Sequence, residues 1–387
     1  MEPKSSSSTP DPIHAPQVQT PDAQPLVAPD YAAAPIPSRF VRVFLGPQGL
    51  RPGWSILVFS VLMVLFTFIT GSILSRASHL DHKQGFTPFA AFLSELAPFI
   101  AMLGAAAIVA AIERRRILDY NLVDASGVRH FFSGLAAGFL ALSALIGALA
   151  AGGWLHFGPV ALSGTAILHF AALWGAAFLL VGCVEEGLFR CYLQFTLTRS
   201  IRFWPAVVIL GAICVELLIR AKGNGVWGVY LIVLLGLVPC YLLHQRKSAS
   251  AGFWIAAWVS STLFGFIHTG NNGENWIGIF AAAAIGFVFC ASIYFTGSAW
   301  WAIGCHAAWD WSETFFYGTA DSGLPAKGHL LTTAPAGSVF WSGGADGPEG
   351  SVLVLGVILV LLVALALLYG RSRKSALVPP VAVEPVS

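Results

Sequence analysis

The sequence predicts an all-α protein, a polytopic bundle of about 8–10 transmembrane helices. Only 10% of its 387 residues are charged and 56% are hydrophobic, whereas roughly 25% of the residues of a soluble domain are charged. So few charged side chains cannot cover the surface of a soluble protein of this length. Apolar segments of about 20 residues recur from Trp54 onward, and that length crosses a hydrocarbon core of ~30 Å.

The chain divides into five parts. Residues 1–38 are rich in Pro, Ser, Ala and Gln and are expected to form a disordered cytoplasmic tail. Residues 39–165 carry the first membrane spans, and residues 166–317 carry the spans with ionisable side chains. The Gly-, Ser-, Thr- and Pro-rich segment 318–350 is an outer loop that acts as a lid or only as a connector, and 351–387 form the last span and a basic cytoplasmic tail. The predicted spans are 54–75, 89–112, 131–152, 170–197, 205–219, 226–243, 253–270, 276–297, 299–317 and 351–369.

Basic residues predict the orientation, because Lys and Arg near span ends stay on the cytoplasmic side. If both termini are cytoplasmic, most of the 21 lysines and arginines lie on that side, with Arg114–Arg116 as the densest group. We therefore expect a multi-pass protein of the plasma (inner) membrane, with the lipid bilayer as its partner. A net charge of +2 without a dense basic stripe argues against nucleic acid as a partner.

The six cysteines lie in apolar stretches, and none belongs to a CxxC pair. This pattern predicts buried free thiols rather than disulfides or a zinc site.

Three ionisable residues interrupt the fourth predicted span: Glu185, Glu186 and Arg190. A charge at mid-bilayer costs about 2.5–3.5 kcal/mol even on the most lenient scale. Glu186 and Arg190 are i,i+4 neighbours and can pair, whereas Glu185 is rotated by about 100° from Glu186. We expect one glutamate to be a structural partner and the other to face a cavity. The alternative is that Arg190 simply ends the span with the glutamates as interfacial counter-ions.

Two further spans carry unexpected polar residues. His268 ends the seventh span, and His306 and Asp310 lie at i,i+4 on one face of the ninth. That spacing lets the carboxylate orient the imidazole, or lets both side chains converge on one oxygen or metal ion. The alternative is a His–Asp pair that serves only helix packing, with His268 as an interfacial residue. Glu313, on a neighbouring face, is secondary.

Two other acids in the spans have simpler interpretations. Glu95 is expected to be a packing or hydrogen-bonding residue, and Glu216 is expected to form an intrahelical pair with Arg220.

The motifs are EExxxR at Glu185, Glu186 and Arg190, FxxxH at Phe264 and His268, and HxxxN/D at His306 and Asp310. In this order, on three apolar segments, they resemble the CAAX-processing and bacteriocin-immunity family of intramembrane endopeptidases, which contains the type II CAAX prenyl endopeptidases. The resemblance covers about residues 170–317, within the part 166–317 defined above, and the stretch SGGADGPEGS before the last span resembles a feature of some bacterial members. The chain departs from the family in two respects: 83 residues separate Glu185 from His268, with an apparent extra hairpin at 205–243, and residue 310 is Asp where many relatives carry Asn.

The resemblance implies hydrolysis of a peptide bond near the C terminus of a protein or peptide substrate, prenylated or not. It implies that Glu185 and His268 position and deprotonate a water, while His306 and Asp310 stabilise the tetrahedral intermediate. Glu186 and Arg190 would then form a scaffold pair. No cofactor is favoured; if a metal is present, the resemblance suggests zinc on Glu185, His268 and His306.

Two other classes of function stay open at this point. The same buried acids and histidines suit a transporter or ion relay, although the sequence has no convincing internal duplication. A non-catalytic scaffold or immunity protein of the same family would also retain the motifs.

The predicted span boundaries and the motifs disagree about how deep Glu185 and His268 lie in the membrane. Counted from Phe170, Glu185 lies about 22 Å along its span, whereas His268 falls near the outer end of its own span. The motifs predict that the two side chains meet, and we give the motifs precedence over the boundaries.

Overall fold

A computed structural model describes residues 43–46, 49–78, 87–221, 236–271, 273–321, 323 and 327–370. Over these residues the protein is a bundle of α-helices, which confirms the predicted fold class. The predicted tail 1–38 and most of the predicted span 226–243 lie outside the described residues.

The helices follow the predicted order. They are α1 Pro52–Ser78, α2 Pro88–Ile112, α3 Gly127–Ala151, α4 Thr165–Glu186, α5 Phe203–Ala221, α6 Val238–Gln245, α7 Ala251–Ile267, α8 Trp276–Thr296, α9 Trp300–Trp311, α10 Val339–Ser342 and α11 Leu353–Tyr369. Two of them continue without a break: α4 through the π-helix Gly187–Leu193 into Gln194–Thr198, and α9 into the π-helix Ser312–Tyr317. Four short strands accompany them: β1 Leu45–Gly46, β2 Gly49–Leu50, β3 Leu155–Val160 and β4 Leu331–Pro335.

By length and composition, seven of the described helices could cross a membrane, and α11 is apolar but shorter. The protein is therefore a multi-pass membrane protein, whereas its orientation and its membrane stay predictions. The predicted span 299–317 is helical as α9, but it is not one of these seven. It carries His306, Asp310 and Glu313, and most of its side chains are buried within the bundle.

Helix ends are set by local sequence. Thr87 caps α2, because its hydroxyl accepts a hydrogen bond from the Ala90 amide and Pro88 follows at the first helical position. Asn275 caps α8 by accepting from the amides of Ile277 and Gly278. At its other end α8 stops at Gly297, whose left-handed conformation (φ 86°) suits glycine.

Helices α3 and α9 pack closely because small residues line their contact. A Cβ at Gly138 of α3 would overlap the carbonyl oxygen of Cys305 in α9, and one at Gly304 of α9 would overlap that of Phe131 in α3. This contact places α9, and therefore His306, at the centre of the bundle.

Charged residues join the ends of α1, α2 and α4. The buried Glu113 accepts hydrogen bonds from Ser55 at 2.6 Å, from Arg115 at 2.9 Å and from Arg199 at 3.0 Å. The basic cluster that predicts the orientation thus also has a structural role.

The segment 318–350 folds back onto the bundle. Its strand β4 pairs antiparallel with β3, with Leu155 opposite Pro335 and Leu331 opposite Val160, and the register shifts between Phe157 and Val160. Pairing of β4 with the connection between α3 and α4 fixes this segment over one end of α9.

The prediction from the boundaries that Glu185 and His268 miss each other is wrong. The Ser260 hydroxyl of α7 donates to the Phe189 carbonyl at 3.0 Å. Glu185 lies four residues before Phe189, and His268 lies eight residues after Ser260. The difference of four residues corresponds to roughly 6 Å along the helix axis. The helix that starts at Thr165 has 34 residues, more than a bilayer requires, and a count from its outer end exaggerates the depth of Glu185.

Other predictions about single side chains are confirmed. Glu216 and Arg220 form an i,i+4 pair at 2.8 Å. All six cysteines are free thiols, of which Cys183 is half-buried and the others are buried.

We expect Gly138→Ala to destabilise the protein by about 1–3 kcal/mol, because the added methyl group overlaps the backbone of α9. Gly147 is the matched control on the same helix, since a Cβ there meets no atom within 4 Å. Gly147→Ala should be stabilising by roughly 0.5–1 kcal/mol. Thermal unfolding in detergent checks the pair, and shifts of the same sign in both variants would contradict the proposed packing.

Candidate active site

A cavity of about 330 Å³ lies inside the bundle and brings the three motifs together. Its lining includes Glu185 from α4, His268 from the end of α7, and His306 and Asp310 from α9. Helices α8 and α11 contribute apolar walls, among them Phe289 and Ile358. Residues far apart in sequence thus share one polar cavity within an apolar bundle.

Glu186 and Arg190 form a fully buried ion pair. The Arg190 Nε lies 3.1 Å from Glu186 Oε2, and both side chains are 0% exposed. The contact is close enough for an ion pair, but its angles do not satisfy hydrogen-bond criteria. The expected structural role of Glu186 is therefore supported by geometry, and Arg190 is buried inside the bundle, eight residues before the helix ends at Thr198.

Aromatic rings surround the Arg190 guanidinium. Its central carbon lies 4.1 Å from the ring centroid of Phe264 and 5.3 Å from that of Phe289. These distances suit cation–π attraction, which partly offsets the loss of hydration. Gly286 of α8 leaves the necessary room, since a Cβ there would lie 2.7 Å from Arg190 Nη2.

The other oxygen of Glu186 orients His306. His306 Nδ1 lies 2.8 Å from Glu186 Oε1, so the ring donates its Nδ1 proton to that carboxylate. The Nε2 atom then faces Glu185 Oε2 at 3.7 Å and Asp310 Oδ2 at 3.5 Å. Both distances exceed a direct hydrogen bond, and a water or substrate atom could bridge them.

His268 is held by its own helix. Its Nδ1 lies 2.7 Å from the carbonyl oxygen of Phe264, which can only accept. Nδ1 therefore carries the proton, and Nε2 has the lone pair in the neutral ring. The Phe264 ring also contacts the His268 ring, with centroids 4.7 Å apart, so the FxxxH spacing places one phenylalanine against both His268 and Arg190.

Two π-helices lie next to motif residues: one begins at Gly187, directly after Glu186, and the other begins at Ser312, two residues after Asp310. A π-helix carries an extra residue per turn, which rotates the residues that follow it, and such segments are frequent at functional sites. In the first, the carbonyl of Arg190 accepts from the Asn121 side chain at 2.8 Å. Nearby, the Phe189 carbonyl accepts from Ser260.

Four more acids line the cavity, and sequence reasoning placed none of them in the site: Glu95, Glu274, Asp321 and Glu349. Glu349 accepts from Trp309 Nε1 at 2.8 Å, and Asp321 accepts from the Thr314 hydroxyl at 3.0 Å. The segment 318–350 is thus part of the cavity wall. Two of these acids had a sequence signal: Glu95 is a charge within an apolar span, and Glu349 lies in the Gly-rich stretch SGGADGPEGS, a composition more typical of a solvated loop.

Burial raises the pKa of three acids that lie outside the spans. It raises the pKa of Glu274 to about 8, with a further contribution from the charge of Asp346. Burial likewise raises the pKa of Asp321 to about 6 and that of Asp346 to about 6. Among the described residues that line the cavity there is no lysine or arginine, and the charge of His306 offsets part of the rise in the pKa of Asp321.

Zinc chemistry requires that the donor atoms converge. Within the described ranges, the group whose ligand atoms lie within 4.8 Å of one another is Glu313, Asp321 and Glu349. Glu185, His268 and His306 do not form such a group. Their donor types would suit zinc, but their spacing here does not.

Comparison with known proteins supports the resemblance. Residues 241–312 match the family model described as Type II CAAX prenyl endopeptidase Rce1-like. The matched segment contains the FxxxH motif and the HxxxD motif, and it excludes the EExxxR motif. No curated protein and no solved structure shows significant similarity to the chain.

The raised pKa of Glu274 predicts a pH dependence of stability. Because its pKa is above the ordinary 4.5 in the folded protein, its contribution to stability is complete below pH 4.5 and is lost as the pH rises through about 8. In divalent-free buffer, the thermal midpoint of wild type should fall as the pH rises from 4.5 to about 8, and this fall should be smaller in Glu274→Gln. The exposed Glu216→Gln is the control, and equal slopes for wild type and Glu274→Gln would refute the assignment.

Proposed function

We propose that this chain, a member of the CAAX protease family, is an intramembrane endopeptidase that cleaves a peptide bond near the C terminus of its substrate. One observation carries the proposal: the polar residues of three separate motifs, Glu185, His268 and His306 with Asp310, line one cavity. Peptide hydrolysis in a membrane requires such a cavity, a base for water and donors for the oxyanion.

Glu185 is the proposed base. Its Oε2 is buried and has no hydrogen-bond partner among the described residues, so it can accept from a water in the cavity. Arg190 pairs with Glu186 instead, and Glu185 is free to take up a proton. His268 Nε2, with Nδ1 bonded to Phe264, would accept the second hydrogen bond of that water.

His306 is the proposed oxyanion donor. When its ring carries both protons, Nδ1–H donates to Glu186 and Nε2–H points toward the space between Glu185 and Asp310. Asp310 can donate there only when it is protonated. The water oxygen would attack the peptide carbonyl as its proton passes to Glu185, and Glu185 would return that proton to the leaving amine.

An apolar groove next to the cavity favours a lipid-modified substrate. The groove has a volume of about 220 Å³, runs between α7, α8 and α11, and is lined by residues such as Trp258, Phe287 and Leu355. Ile358 lines both the groove and the cavity. A prenyl chain in the groove would therefore place the adjoining peptide near Glu185.

We propose a reaction without a metal, since Glu185, His268 and His306 do not converge to the spacing that zinc requires. Elemental analysis of the purified, active protein tests this. A stoichiometric zinc content that Glu185→Gln and His268→Ala abolish would replace the proposal with a zinc mechanism.

Peptide cleavage in proteoliposomes tests the function directly. With farnesylated and unmodified peptides, Glu185→Gln and His268→Ala should each lower kcat by about 10²-fold or more, because each removes a group that activates water. Glu216→Gln, an exposed acid paired with Arg220, is the control and should retain full activity.

Cleavage that persists unchanged in both variants would refute the site. If wild type cuts no peptide but a labelled solute crosses the vesicles, the transporter interpretation applies instead.

A further inference from the structure

Glu313 is a buried acid that the proposed hydrolysis does not use. It lies in the π-helix that continues α9, its side chain is 0% exposed, and neither carboxylate oxygen has a hydrogen-bond partner among the described residues. An unpartnered buried polar group costs about 1–3 kcal/mol and a charged one costs more. Such a group points to a ligand that the protein atoms alone do not supply.

Two carboxylates from other parts of the chain face Glu313. Asp321 comes from the loop after the π-helix, and Glu349 from the 3₁₀ turn Pro348–Gly350. One oxygen of each of the three acids lies within 4.8 Å of the others. We call these three residues the acid triad.

Neighbouring donors hold two members of the triad in place. The Thr314 hydroxyl donates to Asp321 Oδ2 at 3.0 Å, and Trp309 Nε1 donates to Glu349 Oε1 at 2.8 Å. Such outer partners commonly orient the carboxylates that bind a metal.

One oxygen of each of the three carboxylates lies within 4.8 Å of the others, so the three groups repel one another when they are ionised. Carboxylates this close cannot all ionise unless a cation joins them.

We propose that the acid triad binds a divalent calcium ion. All its ligands are carboxylate oxygens, which hard cations prefer, and it contains neither the nitrogen nor the sulfur typical of zinc sites. Two calcium–oxygen bonds of about 2.3–2.6 Å can span oxygen pairs separated by up to roughly 5 Å. The shorter bonds and strict octahedral geometry of magnesium suit this spacing less well.

Calcium at the triad would fix the wall of the cavity. It would join the end of α9 to the two parts of segment 318–350 that supply Asp321 and Glu349, and both residues line the cavity. The start of α8 is tied to the same segment, since Asn275 donates to Asp346 at 3.3 Å and to the Gly350 carbonyl at 3.1 Å. Asp321 and Glu349 share the cavity with Glu185, but the triad contains none of the residues assigned to the proposed hydrolysis and does not depend on that proposal.

Terbium luminescence tests the site without an activity assay. Terbium replaces calcium at oxygen sites, and Trp309, hydrogen-bonded to Glu349, is placed to sensitise it. The full-length protein in detergent should show a saturable signal that calcium displaces. Glu313→Gln should weaken calcium binding by roughly tenfold or more, because ligand charge tunes affinity. Glu216→Gln and Glu185→Gln should both bind as wild type does.

Thermal unfolding provides the second measurement. Calcium should raise the midpoint of wild type but not that of Glu313→Gln, which is neutral, nearly isosteric and expected to fold. No saturable terbium signal, an equal calcium response in Glu313→Gln, or stabilisation by zinc but not by calcium would each overturn the proposal. Each of those results would mean that the three carboxyl groups avoid mutual repulsion by binding protons rather than calcium.

Discussion

The buried ion pair between Glu186 and Arg190 is the constraint on which the site depends. Neither charge has access to water, and each would cost several kcal/mol if it were buried alone. Arg190 draws Phe264 of α7 and Phe289 of α8 around itself, while Glu186 holds His306 of α9. One pair on α4 therefore fixes the three other helices that surround the cavity.

This pair also keeps the Arg190 guanidinium away from Glu185, the first glutamate of the EExxxR motif. Arg190 pairs with Glu186, and the adjacent Glu185 faces the cavity, where its Oε2 lies 3.7 Å from His306 Nε2. A carboxylate in that position can take a proton from water, whereas one paired with a guanidinium is a poor base. The adjacent glutamates thus have different surroundings because successive helical residues point in different directions, and the roles proposed for them differ accordingly.

Much of this arrangement could be predicted from the sequence, since a charge in an apolar span is rare and i,i+4 spacing fixes its neighbours. Glu186–Arg190 and Glu216–Arg220 pair as expected. The depth of Glu185 could not be predicted, because apolar composition does not indicate how far a helix projects beyond the bilayer. Neither could the π-helices after Glu186 and Trp311, or the inward position of Asp321 and Glu349. These features depend on tertiary contacts such as the β3–β4 pairing rather than on local periodicity.

A double-mutant cycle on Glu186 and Arg190, measured as the free energy of unfolding in detergent, tests the central claim most directly. If the pair is the constraint described, Arg190→Met alone should destabilise by about 3–5 kcal/mol, because it leaves Glu186 charged and buried. Adding Glu186→Gln should recover a large part of that loss, and the coupling should exceed 1 kcal/mol in the manner of residues in one network. Additive effects of the two substitutions would contradict the account.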